Sequence, residues 1–145
     1  MKNIYFNSHE EKCKNPFGAV SQGTDVLIQI EVEDDCEVYL VVDNESNIER
    51  YNMNKKGSTY SLTLDTSNYK TTIYYYFEIR CSNECLYYAN NCELWGGEGS
   101  VYNDIPKNLY QITVYNRKYS VPQWFLKSNI YRIFVDRFHN PEICL

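Results

Sequence analysis

The segment Asp25-Val26-Leu27-Ile28-Gln29-Ile30-Glu31-Val32 constrains the fold most, because Val26, Ile28, Ile30 and Val32 occupy every second position. Successive side chains of a strand point to opposite faces, so this alternation turns one apolar face toward a core and the other away from it. The pattern recurs along the chain. Tyr60, Leu62 and Leu64 alternate with Ser61 and Thr63, and Glu37 to Val42 is apolar and β-branched, closed by the turn residues Asp43-Asn44. Ile73-Tyr74-Tyr75-Tyr76-Phe77-Glu78-Ile79-Arg80 reads as a long aromatic strand, with further strands at 85–89 and 111–115. Strands at this spacing, with Gly, Asn and Asp between them and no helical period, predict an all-β chain whose residues 1–118 form a two-sheet β-sandwich. A chain of 145 residues can enclose one sizeable core of this kind.

The net charge of −5 offers no basic stripe that would release phosphate counterions, so nucleic acid is not an expected partner. No apolar run is long enough for a membrane-spanning helix. The start, Met1-Lys2-Asn3-Ile4-Tyr5-Phe6-Asn7, turns polar too early for a signal-peptide core, which points to the cytoplasm. In that compartment the six cysteines, Cys13, Cys36, Cys81, Cys85, Cys92 and Cys144, are expected as free thiols. A disulfide framework and a zinc site at Cys81, Cys85 and Cys92 are the alternatives; the zinc site lacks an evident fourth ligand, as His9 and His139 lie far off in sequence.

Residues 119–128 read as a linker and turn that contains Pro122-Gln123-Trp124, and residues 129–145 carry an apolar run, Ile130 to Val135, without alternation. Such a run suits a strand buried on both faces, the usual state of a parallel strand covered by helices. No crossover follows before Leu145, so the run is expected to be the opening strand of a further domain.

These residues resemble the α-amylase family of glycoside hydrolases, in particular the cyclomaltodextrinase, neopullulanase and maltogenic amylase group. There a Pro-x-Trp turn leads into the first strand of the catalytic (β/α)8 barrel. Trp124 and then Ile130, Tyr131, Ile133, Phe134, Asp136, Arg137 and Phe138 match that pattern, while Arg132 and Val135 replace the usual Gln and Pro. Asn15-Pro16-Phe17-Gly18-Ala19-Val20, with Gly23-Thr24 and the strand after it, is similar to the start of the family's N-terminal domain, and Tyr75 to Ile79 is similar to one of its strands.

The resemblance implies an immunoglobulin-like two-sheet β-sandwich, of starch-binding type, with a C-terminal stub of a (β/α)8 barrel. Glycoside hydrolysis needs two carboxyl groups facing the scissile bond. In the family these lie on later barrel strands, so the chain is expected to be inactive by itself, with no catalytic residue. Asp136 and Arg137, like Trp124, Tyr131 and Phe138, belong to the structural motif. Calcium is a cofactor of several full-length members, and Asn140 matches one ligand position, although one Asn cannot supply the six to eight oxygens calcium takes. The implied job is positioning an α-glucan, or contacting the catalytic barrel of its own or a partner subunit in a homodimer. A stand-alone carbohydrate-binding or protein-interaction module is the alternative. With 15 Tyr and 2 Trp the chain is rich in flat rings, and Tyr87, Tyr88, Trp95 and Tyr102 flank the Gly96-Gly97-Glu98-Gly99 turn. They are the candidate sugar-binding residues, set against the bland possibility that they fill the core.

Overall fold

The structure is a computed structural model, and it describes residues 3–44, 46–82, 84–118 and 120–132. In chain order its strands are β1 Ile4–Tyr5, β2 Lys14–Asn15, β3 Val20–Ser21, β4 Asp25–Val32, β5 Glu37–Asp43, β6 Ile48–Asn52, β7 Asn54–Lys56, β8 Thr59–Asp65, β9 Thr72–Cys81, β10 Glu84–Ala89, β11 Ser100–Tyr102 and β12 Tyr110–Tyr115, followed by the single helical turn α1 Gln123–Leu126. The long strands β4, β5, β8, β9, β10 and β12 coincide with the alternating and aromatic segments of the sequence. The short ones β1, β2, β3, β7 and β11 carry two or three residues, too few for a period to show, and β6 has no run of apolar residues to mark a buried face.

Two sheets result. In the smaller, β4 is central: β8 pairs with it antiparallel from Asp25↔Asp65 to Glu31↔Thr59, β7 follows β8, and β1 and β2 share the other edge of β4. The larger sheet is organised by β9. One edge of β9 pairs along its length with β5, from Glu37↔Arg80 to Asp43↔Tyr74. The other edge is divided, with β10 against Phe77 to Cys81 and β12 against Thr72 to Tyr75. β6 extends the sheet beyond β5, β11 beyond β10, and β3 runs parallel to β12.

The alternation decides what is buried. Val26, Ile28, Ile30 and Val32 of the small sheet and Val38, Leu40, Val42, Ile73, Tyr75, Phe77 and Ile79 of the large one form one core, joined by Tyr110, Ile112 and Val114. Phe6 enters it from the segment after β1, its ring 4.8 Å from Phe77 and 5.0 Å from Tyr110. The opposite face of the large sheet has its own smaller cluster, Val41, Tyr76 and Ala89, against which Tyr87, Tyr102 and Leu109 pack. Beside it Glu78 is only 2% exposed and is held by Arg50 at 2.7 Å and Arg80 at 2.5 Å. Two cations thus satisfy one buried acid, the condition under which a charge tolerates burial.

Two of the cysteines depart from expectation: Cys36 and Cys81 form a disulfide. Cys13, which is buried, and Cys85 and Cys92, which are exposed, are free thiols as expected. The cause is register: the pair Glu37↔Arg80 sets Cys36 and Cys81 opposite each other on adjacent strands, across 45 residues of sequence. A zinc site at Cys81 is thereby ruled out. Cys144 lies outside the described residues.

At the C-terminal end, the Pro122 turn is one helical turn, with the Phe125 and Leu126 amides donating to the Pro122 carbonyl. Trp124, Phe125, Leu126, Ile130 and Tyr131 are exposed. Ile130, Tyr131 and Arg132 form no strand; the rest of the expected barrel strand, with Asp136, Arg137 and Phe138, and the calcium candidate Asn140 lie outside the described residues. No helix of the described residues is long and apolar enough to cross a membrane.

Among the described residues two buried side-chain polar atoms lack a hydrogen-bond partner, Asn90 Oδ1 and, in the core, the Tyr75 hydroxyl. Desolvation raises the pKa of Tyr75 above the ordinary tyrosine value. Leaving such a group unpaired costs more than a hydrogen bond returns. Tyr75→Phe is therefore expected to raise unfolding free energy by about 1 kcal/mol in urea denaturation.

Candidate functional site

The buried rings carry polar handles, and those handles build a pocket. Tyr88 donates its hydroxyl to the Phe6 carbonyl (3.0 Å) and accepts from the Gly99 amide (2.9 Å). Tyr110 donates to the Gly97 carbonyl (3.3 Å), and Tyr102 donates to the Asn90 carbonyl (2.7 Å). Three tyrosines on three strands thus pin the loop between β10 and β11. Burial pushes the hydroxyl pKa of Tyr88 and Tyr110 upward, which keeps both as neutral donors.

The N-terminal loop before β3 closes on the same segment. Ser8 donates its amide to the Gly97 carbonyl and accepts the Gly97 amide on Oγ at 2.8 Å, while Asn7 and Glu98 form an isolated antiparallel bridge. Gly96 and Gly97 have φ of +77° and +78°, the left-handed region where a side chain is strained, so the glycines permit the turn. Leu94 shares this conformation at φ +62°. His9 Nε2 lies 3.1 Å from the Trp95 carbonyl, and its ring meets Phe17 edge-on at 6.0 Å between centroids.

Between these loops and one end of β9 and β12 is a cavity of about 630 Å³. Its lining includes Phe17, Tyr74, Leu94 and Trp95 as apolar surfaces and His9, Lys14, Asn90, Lys107 and Gln111 as polar groups. Trp95 is 81% exposed and Phe17 58% exposed, so both present free ring surface. Lys14 and Asn90, by contrast, are buried. Flat exposed rings beside a few fixed polar groups are what a site for a ring-shaped polar ligand requires.

The four aromatic candidates separate. Trp95 stands on the pocket. Tyr88 is a core residue, 6.4 Å from Phe77 between ring centroids, and acts on the pocket only through Gly99. Tyr87 and Tyr102 face each other across β10 and β11 on the outer side of the large sheet, half-buried, with Tyr76 6.0 Å from Tyr87. Sequence reading did not single out Lys14, Asn90, Lys107 or His9. Phe17 had one signal, an aromatic in the turn Asn15-Pro16-Phe17-Gly18, where nothing in the local pattern buries it. Among the described residues no group of His, Cys, Asp and Glu could hold a metal ion.

No protein-family model matches the chain. Curated relatives do. The chain is 29% identical to an amylopullulanase of Thermoanaerobacterium thermosulfurigenes, over 97% of this chain and 8% of that protein. It is 27% identical to the amylopullulanase of Thermoanaerobacterium saccharolyticum and 29% identical to that of Thermoanaerobacter thermohydrosulfuricus, covering 12% and 10% of those proteins. The chain is thus a distant homologue of a small region of amylopullulanases, spanning about a tenth of their length.

Gly99 is the tightest point of the pocket's frame. A Cβ there would meet the Ala89 carbonyl, the Tyr110 hydroxyl and the Tyr88 ring inside van der Waals distance. Gly99→Ala is expected to cost about 1–3 kcal/mol of stability by overpacking, read from the shift of the thermal or urea midpoint.

Proposed function

We propose that this chain is a non-catalytic accessory module of an α-glucan-degrading glycoside hydrolase, an immunoglobulin-like sandwich standing before a (β/α)8 barrel of the α-amylase family. It holds an α-glucan against Trp95 and Phe17 for a catalytic centre that lies elsewhere. The observation that carries the reading is Trp95, 81% exposed on a cavity that also contains buried polar side chains. Support comes from the likeness to amylopullulanases over 97% of the chain and from the Pro122-Gln123-Trp124 turn. The exposed Trp124, Phe125 and Leu126 supply an apolar surface for contact with a barrel, of the same subunit or of a partner in a homodimer. The Cys36–Cys81 disulfide favours an oxidising compartment over the cytoplasm that the N-terminal residues suggest.

The reading makes the chain a weak sugar binder and no hydrolase. Titration with maltoheptaose or β-cyclodextrin, followed by calorimetry and by tryptophan fluorescence in a Trp124→Phe background, is expected to give a dissociation constant on the order of 1 mM. Trp95→Ala is expected to weaken it at least about fivefold, the scale of one lost ring contact. Absence of any response up to ~10 mM sugar, or an unchanged response in Trp95→Ala, would refute the assignment.

A further inference from the structure

Among the described residues two charged side chains are buried, and the fold treats them differently. Glu78 has two arginines. Lys14, 5% exposed on β2, has none of the opposite kind: its Nζ lies 3.4 Å from the Gly18 carbonyl and 5.9 Å from the Phe17 ring centroid, and among the described residues no carboxylate is within ion-pair distance. Desolvation lowers its pKa from the ordinary lysine value. A buried ammonium without a counter-charge is costly, and that cost is relieved by whatever anion reaches it.

Lys14 faces the pocket, and the pocket's charge has one sign. Lys107 also lines it, and among the described residues no Asp or Glu does, in a chain whose net charge is −5. A second group there is unsatisfied. Asn90 is 4% exposed, lines the cavity, and its Oδ1 has no hydrogen-bond partner, so it lacks a donor such as a hydroxyl. Three requirements therefore meet in one cavity: a ring face for Trp95 and Phe17, a hydroxyl for Asn90, and an anion for Lys14.

We propose that this pocket is a subsite for a sugar unit carrying an anionic substituent, a phosphate or a carboxylate, with Lys14 pairing the anion and Asn90 accepting a ring hydroxyl. The assignment rests on a sugar being the ligand of the pocket and adds the charge of the sugar. The test is calorimetric titration of the whole chain with maltose, glucose 6-phosphate, glucuronate and inorganic phosphate. At least one charged sugar is expected to bind about tenfold or more tightly than maltose, the scale of one charge-assisted hydrogen bond. Which of the two does so names the substituent.

In Lys14→Met the excess of charged sugar over maltose should vanish. In the unaltered chain the same excess should shrink as sodium chloride rises from ~0.05 to ~0.5 M, a check that does not depend on the variant folding. Equal affinity for charged and neutral sugars refutes the anionic subsite and leaves the α-glucan reading standing. Inorganic phosphate matching glucose 6-phosphate, with maltose silent, refutes the sugar. An anion preference that survives in folded Lys14→Met refutes the role of Lys14.

Discussion

The ring cluster around Phe6 is the interaction on which the rest of the molecule depends. Phe6 lies within 6.3 Å of Tyr75 and closer to Phe77 and Tyr110, and Tyr75 stacks on Tyr110 at 5.4 Å. Aromatic pairs of this geometry add to the area they bury, and here they tie the N-terminal segment to the central strand of the large sheet. Two rings of the cluster's neighbourhood, Tyr88 and Tyr110, end in hydroxyls that leave the core and hold Gly97 and Gly99. Core packing and loop position are therefore one construction. The pocket is framed by groups whose placement was already settled by the packing beneath them.

The same construction explains the mixture of exposed and buried groups at the pocket. Trp95 sits in a loop pinned on both sides, by Ser8 at Gly97 and by Tyr102 at Asn90, and its indole is exposed. Lys14 lies on a two-residue strand paired to β4 at Ile28, so its stem is covered by the sheet and its ammonium reaches the cavity side at Gly18. A long cationic side chain ordinarily carries its charge out to water. Here the covering loops prevent that, while on the opposite side of the large sheet Glu78 is equally buried but fully paired. The distribution of charge is thus uneven by geometry and not by composition.

The sequence by itself determined the strands. Six long segments were legible because period-2 alternation and β-branched or aromatic bulk are local properties: Val26 to Val32 bury the face their spacing prescribes, while Tyr75 to Ile79 are buried on both faces. Tyr88 and Trp95 could not be told apart by the same means. Both are aromatic residues near glycine, and only the partners across the fold send one into the core and leave the other in solvent. The Cys36–Cys81 pairing was equally hidden, since it follows from the register of β5 on β9 and not from the spacing of the six cysteines. What only the tertiary structure decided is the cavity, where Lys14, Phe17, Asn90 and Trp95 meet from two separate stretches of chain. Alternation assigns a residue to a face; which residues from distant strands share a space is set by register and loop closure, and no local pattern encodes those.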